Sequence, residues 1–297
     1  MSAAISGAMS ILMSFITMLT SLFGIVQGRP DTTITQGFET KGENVMRIMS
    51  FNIRCTNVGT DSWQDRIGIV TQTMLDSEAD SIGIQEGTPE WMGELRQTLS
   101  SKYNSVGVGR DGENKGEFSA IFYLKDKYNL VDSGTFWLSE TPDEISRGWD
   151  AVFNRICTWA VLENKETGEK YVHLNSHFDH IGVKARANSV ELILNKAKEY
   201  PDLPVVFTAD LNVKQGSEDY NHFVNSDILR DTKFDTRDTM NYCTYHDLHP
   251  ERNKDEIIDY VMINDHFDAK AYRVVTEGVD GRYVSDHFPI YADIEIK

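Results

Sequence analysis

Apolar runs with the alternation of β-strands recur along the chain, and stretches with helical spacing of apolar residues separate several of them. Six of these runs end at, or contain, an acidic, Asn or His side chain. Strands are predicted at residues 46–53, 81–84, 119–123, 158–162, 171–176, 204–208, 257–263 and 289–296. Helices are predicted at residues 65–75, at 185–200, and from Thr88-Pro89, an N-cap followed by Pro at the first helical position.

Interleaved strands and helices indicate the α/β or α+β class, with layered sheets covered by helices. The runs at 119–123 and 158–162 are expected to pair with each other. The segment between them, which contains Phe136, Trp137 and Trp149, is expected to be irregular. No low-complexity linker divides the chain, so residues 46–297 are predicted to form one domain.

Residues 1–45 stand apart from this pattern. No charged residue occurs in residues 1–28, and residues 11–26 are almost wholly apolar, which is long for a signal-peptide core and short for a membrane span. Three interpretations stay open: a signal peptide ending at Gly28, an uncleaved membrane anchor, or translation that begins at Met46. The first two imply a secreted or membrane-anchored protein, and the third a cytoplasmic one.

Net charge and cysteine content narrow the possible partners. The formal charge of −17 would repel a long polyanion unless basic groups were gathered on one face, which argues against avid DNA binding. Cys55, Cys157 and Cys243 are far apart and form no CxxC motif. Buried free thiols are therefore expected, rather than a disulfide framework or a zinc site.

Carboxylates and amides at the ends of the predicted strands are ligands that suit Mg²⁺ or Mn²⁺. Glu86 is the first candidate, although an isolated Glu after a strand is more often a solvated acid. Asp286 could bind a metal or orient the neighbouring His287. Asp210 and Asn212, two residues apart and therefore on one face, could activate a water and hold a phosphate oxygen, or form an Asx turn.

Three further polar residues follow the strand at 171–176: His177, Asp179 and His180. A zinc site is disfavoured here because the cluster has no cysteine partner. A His that protonates or hydrogen-bonds a phosphoryl oxygen is the better functional interpretation. Arg155 is a candidate phosphate clamp, because a guanidinium matches two oxygens at once, and a structural salt bridge is the alternative.

The order of these motifs resembles the endonuclease/exonuclease/phosphatase superfamily, in a bacterial branch near the Ccr4-like members. The similarity extends over residues 46–297, and two positions depart from the usual pattern, Ser176 for Thr and Ala209 for Gly, without removing a functional group. The motifs that carry it are Asn52, Gln85-Glu86, Ser176-His177-Phe178-Asp179-His180, Ala209-Asp210-Leu211-Asn212, Ile258-Asp259-Tyr260 and Ser285-Asp286-His287-Phe288-Pro289.

The resemblance implies a four-layered sandwich of two packed, mainly antiparallel or mixed sheets flanked by helices, with a catalytic cleft at one end. Glu86 would bind Mg²⁺ with help from Asn52 and Asp286. Asp210 would position or deprotonate the attacking water. The remaining roles implied are phosphate binding by Asn212 and His177, and phosphate binding or protonation by His287, oriented by Asp259.

The expected activity is hydrolysis of a phosphomonoester or phosphodiester by metal-assisted in-line attack of water, with Mg²⁺ or Mn²⁺ as cofactor. An RNA or DNA nuclease, or a deadenylase-like exonuclease, is the enzymatic alternative; Trp137 and Trp149 are its candidate aromatic contacts. A catalytically inactive module that binds a phosphate ligand is the alternative of another class. The substrate is expected to be a phosphorylated small molecule, a lipid headgroup or a nucleic acid, and the protein a monomer without a stable protein partner.

Overall fold

The computed structural model describes residues 37–56, 62–251, 256–278 and 281–297. The signal, anchor and upstream-start interpretations concern residues that lie mostly outside these ranges. Within them, no helix combines the length and the apolar character needed to cross a membrane. Residues just before Met46 contact the folded part: Glu39 pairs with Arg273 at 2.8 Å, and Lys41 with Asp80 at 3.1 Å.

Twelve strands form two six-stranded sheets in the described ranges. In chain order they are β1 (Met46–Asn52), β2 (Ser81–Gln85), β3 (Tyr103–Val106), β4 (Ile121–Leu124), β5 (Tyr128–Trp137), β6 (Ile156–Asn164), β7 (Lys170–His177), β8 (Val205–Asp210), β9 (Arg230–Asp231), β10 (Asp259–Ile263), β11 (Phe267–Val274) and β12 (Ile290–Ile296). The first sheet has the order β11-β12-β1-β2-β4-β3, and the second β5-β6-β7-β8-β10-β9. Only β1–β2 and β7–β8 are parallel among these neighbouring pairs.

Helices cover the outer face of each sheet. They are α1 (Trp63–Asp76), α2 (Pro89–Thr98), α3 (Val183–Lys198), α4 (Glu218–Val224) and α5 (Thr232–Asp235). Ser62 and Thr88 cap the first two helices by accepting hydrogen bonds from backbone N–H groups of the first turn. Helices α1 and α2 pack on the first sheet, and α3 and α4 on the second. A third apolar cluster lies between the sheets, so the predicted four-layered sandwich is confirmed.

Two expectations about the middle of the chain were wrong. The runs at 119–123 and 158–162 do not pair, because β4 bonds to β2 and β3 in the first sheet while β6 bonds to β5 and β7 in the second. Both runs are apolar because their strands are buried in the sandwich. The segment between them is regular only in part: β5 pairs with β6 along its length, and its largely exposed residues hid it from an apolar pattern. Residues 138–155, which include Trp149, form neither strand nor helix, as expected.

A network of buried polar side chains joins the two sheets beneath the candidate site. His173 bonds to Ser81 Oγ and to Thr208 Oγ1, both at 2.8 Å. Asn175 then accepts hydrogen bonds from Thr208 and from Gln85. These five side chains have no exposed surface, and their hydrogen bonds replace much of the water that they lose on folding. Only Oε1 of Gln85 in this group has no hydrogen-bond partner among the described residues. This network of hydrogen bonds fixes one sheet against the other next to Glu86.

Gly83 of β2 makes this close approach of the sheets possible. A Cβ built at this position would lie 2.0 Å from Thr208 Oγ1 and 2.5 Å from Asn175 Oδ1. Neither atom can move without giving up its buried hydrogen bonds. A residue without a side chain is therefore required at position 83.

Candidate active site

The polar ends of strands from both sheets meet at one end of the sandwich. In the first sheet, parallel pairing of β1 with β2 places Asn52 opposite Gln85, the residue before Glu86. In the second sheet, Asp210 at the end of β8 lies opposite both His177 of β7 and Asp259 of β10. Strand register therefore brings together residues that are far apart in the sequence.

Asn52 connects the two sheets at this end. Its Nδ2 donates to Glu86 Oε1 at 3.0 Å and to Asp210 Oδ2 at 2.9 Å. The other Glu86 oxygen accepts from the backbone N–H of Cys55 at 2.7 Å. Burial opposes charge on Glu86, but the hydrogen bonds from Cys55 and Asn52 outweigh it and lower the pKa of this carboxyl. Glu86 is therefore held as a carboxylate.

Asp286 is the second carboxylate near Glu86. Its Oδ2 lies 3.3 Å from Nε of Arg54. Burial raises the pKa of Asp286, and the negative charge of Glu86 adds to this effect. The two predicted acidic metal ligands are thus close enough to repel each other electrostatically in a largely buried place.

His287 and Asp259 form a buried pair that crosses the sheets. His287 Nδ1 lies 2.9 and 3.1 Å from the two oxygens of Asp259. Its Nε2 is 3.8 Å from Oδ2 of Asp210. Burial disfavours a charged imidazole, but Asp259 and Asp210 together outweigh it and hold the pKa of His287 well above its ordinary value. His287 is therefore a cation at neutral pH, oriented by Asp259.

Thr244 holds this pair in place, a residue that the sequence did not single out. Its Oγ1 accepts from the backbone N–H of Ile258 and of Asp259, at 3.0 and 3.1 Å. Its backbone oxygen accepts from the N–H of Phe288 at 2.7 Å, next to His287. One threonine thus fixes the backbone beside both members of the pair.

Asp210 is fully enclosed by the other site residues. Burial raises the pKa of its carboxyl to about 7, with a further contribution from the negative charge of Asp259. Its Oδ1 accepts from the backbone N–H of Asn212 at 2.9 Å, while Oδ2 faces Asn52 and His287. A carboxyl with a pKa near 7 can accept a proton from water at neutral pH.

His177 and Asn212 lie side by side at the end of β7. Asn212 Nδ2 donates to His177 Nε2 and to the backbone oxygen of Phe178, both at 3.0 Å. Burial, and next the positive charge of Arg155, lower the pKa of His177 well below its ordinary value, so the ring is neutral. Nε2 of His177 also lies 3.4 Å from Oδ2 of Asp210, while Nδ1 has no hydrogen-bond partner among the described residues.

Two residues of this site have a backbone conformation that side chains rarely adopt. The φ angles are +63° at Glu86 and +51° at Asn212. Such left-handed conformations cost free energy in residues other than glycine, and they persist where the surrounding structure fixes them. Glu86 directly follows β2, and Asn212 lies two residues after the end of β8, so both strained residues lie where the backbone leaves a buried strand.

A narrow cleft with a cavity volume of about 10 Å³ opens beside Glu86 and His177. Arg155 lines it and is only 5% exposed, with Nε 3.6 Å from Asp179 Oδ2. Arg110 also lines it, paired with Glu117 at 2.8 Å. The sequence missed Arg110 and Glu117, because neither follows an apolar run. Both belong to a hairpin between β3 and β4 that has no periodic signal.

The prediction of buried free thiols is confirmed for two of the three cysteines. All three cysteines are free, and Cys157 and Cys243 are buried. Cys55 is half-buried beside Glu86. Burial, and next the charge of Glu86, raise the pKa of the Cys55 thiol, so it is protonated and unreactive.

Comparisons with known proteins agree with this geometry. The model of the Endonuclease/Exonuclease/phosphatase family matches residues 49–287. A mannosyl-6-phosphatase of Bacteroides thetaiotaomicron is 36% identical, with a TM-score of 0.80 over 84% of this chain and 99% of that one. An endonuclease/exonuclease/phosphatase of Bacteroides vulgatus is 37% identical, with a TM-score of 0.81 over 85% and 99% of the two chains.

More distant structures share the fold. The catalytic domain of human nocturnin is 20% identical, with a TM-score of 0.68 over 86% of this chain and 94% of that one. No curated protein sequence matches the chain. The family predicted from the order of the motifs is confirmed by the family match and by the two Bacteroides structures. The chain therefore belongs to the Endonuclease/Exonuclease/phosphatase family of phosphoester hydrolases.

Proposed function

We propose that the protein is a Mg²⁺- or Mn²⁺-dependent phosphomonoester hydrolase that acts on a small phosphorylated sugar. The observation that carries the proposal is the position of Asp210. It lies between the Asn52–Glu86 contact on one side and the His287–Asp259 pair on the other. The proton acceptor Asp210, the cationic His287 and the ionised carboxylate of Glu86 thus lie next to one another.

Glu86 and Asp286 fit a hard divalent cation. Both carboxylates are partly buried, and the charge of Glu86 opposes ionisation of Asp286. Such an ion, which takes oxygen ligands, would stabilise both charges. In its present rotamer Asn52 directs its amide nitrogen to Glu86, so it would hold this ligand rather than supply its own oxygen. When bound, the metal would neutralise charge on the phosphoryl group.

A second group of residues also has the composition of a cation site. Atoms of Asp210, Asp259 and His287 all lie within 4.8 Å of one another. However, the imidazole of His287 already bonds to Asp259, and this hydrogen bond accounts for the short distances. We therefore assign the cation to Glu86 and Asp286, and the proton chemistry to the three others.

The chain's own residues supply the remaining steps. Asp210 orients the attacking water and accepts its proton, since its pKa of about 7 suits this role. The cationic His287, held by Asp259, stabilises the negative charge that develops on the phosphoryl oxygens or donates a proton to them. Neutral His177 donates through Nδ1, and Asn212 and Arg155 hold the other phosphate oxygens.

Charge favours a small sugar phosphate over a nucleic acid. The net charge of −17 repels a polyanion. Trp137, a candidate aromatic contact for a nuclease, is only 9% exposed and donates through Nε1 to the backbone oxygen of Arg110. A relative with 36% identity is a mannosyl-6-phosphatase. The catalytic group is complete in one chain, which is consistent with a monomer.

The test is a substrate panel assayed with the purified protein: hexose 6-phosphates, a phosphodiester, an oligonucleotide and a phospholipid. Hexose 6-phosphates should give the highest kcat/KM. EDTA should abolish turnover, and Mg²⁺ or Mn²⁺ should restore it. The variant Asp210→Asn should lose at least about 100-fold in kcat. Full activity in chelator would refute the metal assignment, and a preference for the oligonucleotide would refute the substrate class.

A further inference from the structure

Phe153 is an exposed aromatic residue that precedes Asn154 and Arg155, two residues that line the cleft. Its side chain is 42% exposed, although large apolar residues are mostly buried in this protein. The guanidinium carbon of Arg110 lies 4.5 Å from the ring centroid, and that of Arg155 lies 5.7 Å away. The ring of His180 stacks on it at 5.8 Å, with an angle of 26° between the planes. An aromatic surface thus adjoins three side chains that can donate hydrogen bonds.

The backbone of this rim is fixed, so the exposure of Phe153 is a defined feature of the fold. The carboxylate of Asp179 accepts hydrogen bonds from four backbone N–H groups, those of Val152, Phe153, Ile181 and Gly182. The same carboxylate lies 3.6 Å from Nε of Arg155. These bonds lower the pKa of Asp179 despite its burial.

Asp150 holds the beginning of the same loop, residues 150–153, in place. Its carboxylate accepts from the backbone N–H of Lys184 and Ala185, in the first turn of α3. Two carboxylates therefore tie residues 150–153 to residues 181–185, and the side chain of Phe153 stays partly exposed between Arg110 and His180. A side chain held exposed by this many bonds is preorganised for contact with a ligand, because little freedom remains to be lost on binding.

We infer that Phe153 is the specificity-determining contact for the sugar ring of the substrate, with Arg110 and His180 as the polar groups beside it. This inference rests on the proposed function. Arg155 links the two regions: it lines the phosphate cleft and also approaches the Phe153 ring. A phosphate held by Arg155 therefore has the next part of its molecule over the aromatic surface.

The surroundings of the ring favour a sugar over an acyl chain. Guanidinium, imidazole and the nearby Asn154 amide provide donors and acceptors suited to hydroxyl groups, while the aromatic ring suits an apolar C–H face. An acyl chain offers no hydrogen-bonding groups to these polar side chains, whereas sugar hydroxyls do. A nucleobase could also stack on Phe153, so the experiment includes a nucleotide.

The test compares Phe153→Ala with Phe234→Ala in the full chain. Phe234 is a matched control, since it is 65% exposed and has a cation, Lys233 Nζ, 4.8 Å from its ring centroid. It lies in α5, outside the residues that line the cleft. Steady-state kinetics would use mannose 6-phosphate, adenosine 5′-monophosphate, and glycerol 3-phosphate, which has no ring.

Phe153→Ala should raise KM for mannose 6-phosphate about tenfold, the loss expected for one aromatic contact, and leave kcat nearly unchanged. Both parameters for glycerol 3-phosphate should stay within about twofold of the parent values. Phe153→Tyr should restore the KM for mannose 6-phosphate, and Phe234→Ala should change nothing. Rescue by Tyr distinguishes a contact with substrate from a structural role.

Three outcomes would overturn the inference. Equal losses on mannose 6-phosphate and glycerol 3-phosphate would mean that Phe153 serves the phosphate site or the fold. A rise in KM confined to adenosine 5′-monophosphate would make the occupant a nucleobase. Failure of the parent protein to hydrolyse any of the three monoesters would instead refute the proposed function, and the inference with it.

Discussion

Asn175→Ala should show how much the network of buried polar side chains between the sheets contributes to stability. Asn175 makes four hydrogen bonds: Nδ2 donates to the backbone oxygens of Ile84 and Ala120, and Oδ1 accepts from Gln85 and Thr208, at 2.8 to 3.0 Å. The residue has no exposed surface. All four partners lose a bond in the variant.

The expected loss follows from this count. A buried hydrogen bond contributes about 0.5–1.5 kcal/mol, and a partner left without a bond costs about 1–3 kcal/mol. Four partners would give a large sum if each stayed unsatisfied, but Thr208 keeps its bond with His173. Gln85 Nε2 also keeps its contact with Ser50. We expect the free energy of unfolding to fall by about 4 kcal/mol.

Urea unfolding followed by tryptophan fluorescence would measure this loss, with Asn188→Ala as the control. Asn188 makes one hydrogen bond, to the backbone oxygen of Lys184 at 2.7 Å within α3, and alanine improves helix propensity. The control should therefore change the free energy of unfolding by no more than about 0.5 kcal/mol. A loss below about 1 kcal/mol for Asn175→Ala would show that its partners find other bonds, and the reasoning would be refuted.

Two further substitutions test the site and the opposite end of the sandwich. Asp259→Asn keeps a hydrogen-bond acceptor for His287 but removes the charge, so kcat should fall about 100- to 10,000-fold; a loss under about threefold would contradict the paired role. Asp80 is buried against Lys41, Lys127 and the backbone of Arg47, which together lower its pKa below 3.8 against the effect of burial. Its charge therefore stabilises the fold above about pH 4 and loses this effect as pH falls through the lowered pKa. Asp80→Asn should cost about 2 kcal/mol at pH 7, measured by urea unfolding, and a difference that persists undiminished at pH 2 would contradict this assignment.

Strands were predictable where apolar residues recur without interruption. All eight predicted runs overlap strands of the structure, because a strand buried on both faces leaves a continuous apolar signal. β3, β5, β9 and β11 were missed, and they are short or have exposed residues on one or both faces. A partly solvated strand has too weak an apolar signal to stand out from a loop.

Pairing between strands was not predictable from the same pattern. The runs that became β4 and β6 are both apolar, and nothing in their composition assigns them to different sheets. The side chains that decide the packing are polar: Asn175, Gln85 and Thr208 match one another across the gap. Such matches exist only once the backbone has brought the residues together, so no local pattern encodes them.

The residues of the candidate site also fall into those that the sequence could predict and those that it could not. Glu86, Asp210 and His287 follow or precede apolar runs, so the sequence found them, and their short distances are a consequence of strand register. Phe153 and Arg110 lie in irregular segments and have no such signal. Asp179 was singled out as part of a histidine cluster, yet its carboxylate bonds to backbone N–H groups and approaches Arg155. One carboxylate thus holds both the proposed phosphate ligand and the loop proposed to contact the sugar, and this coupling becomes visible only in three dimensions.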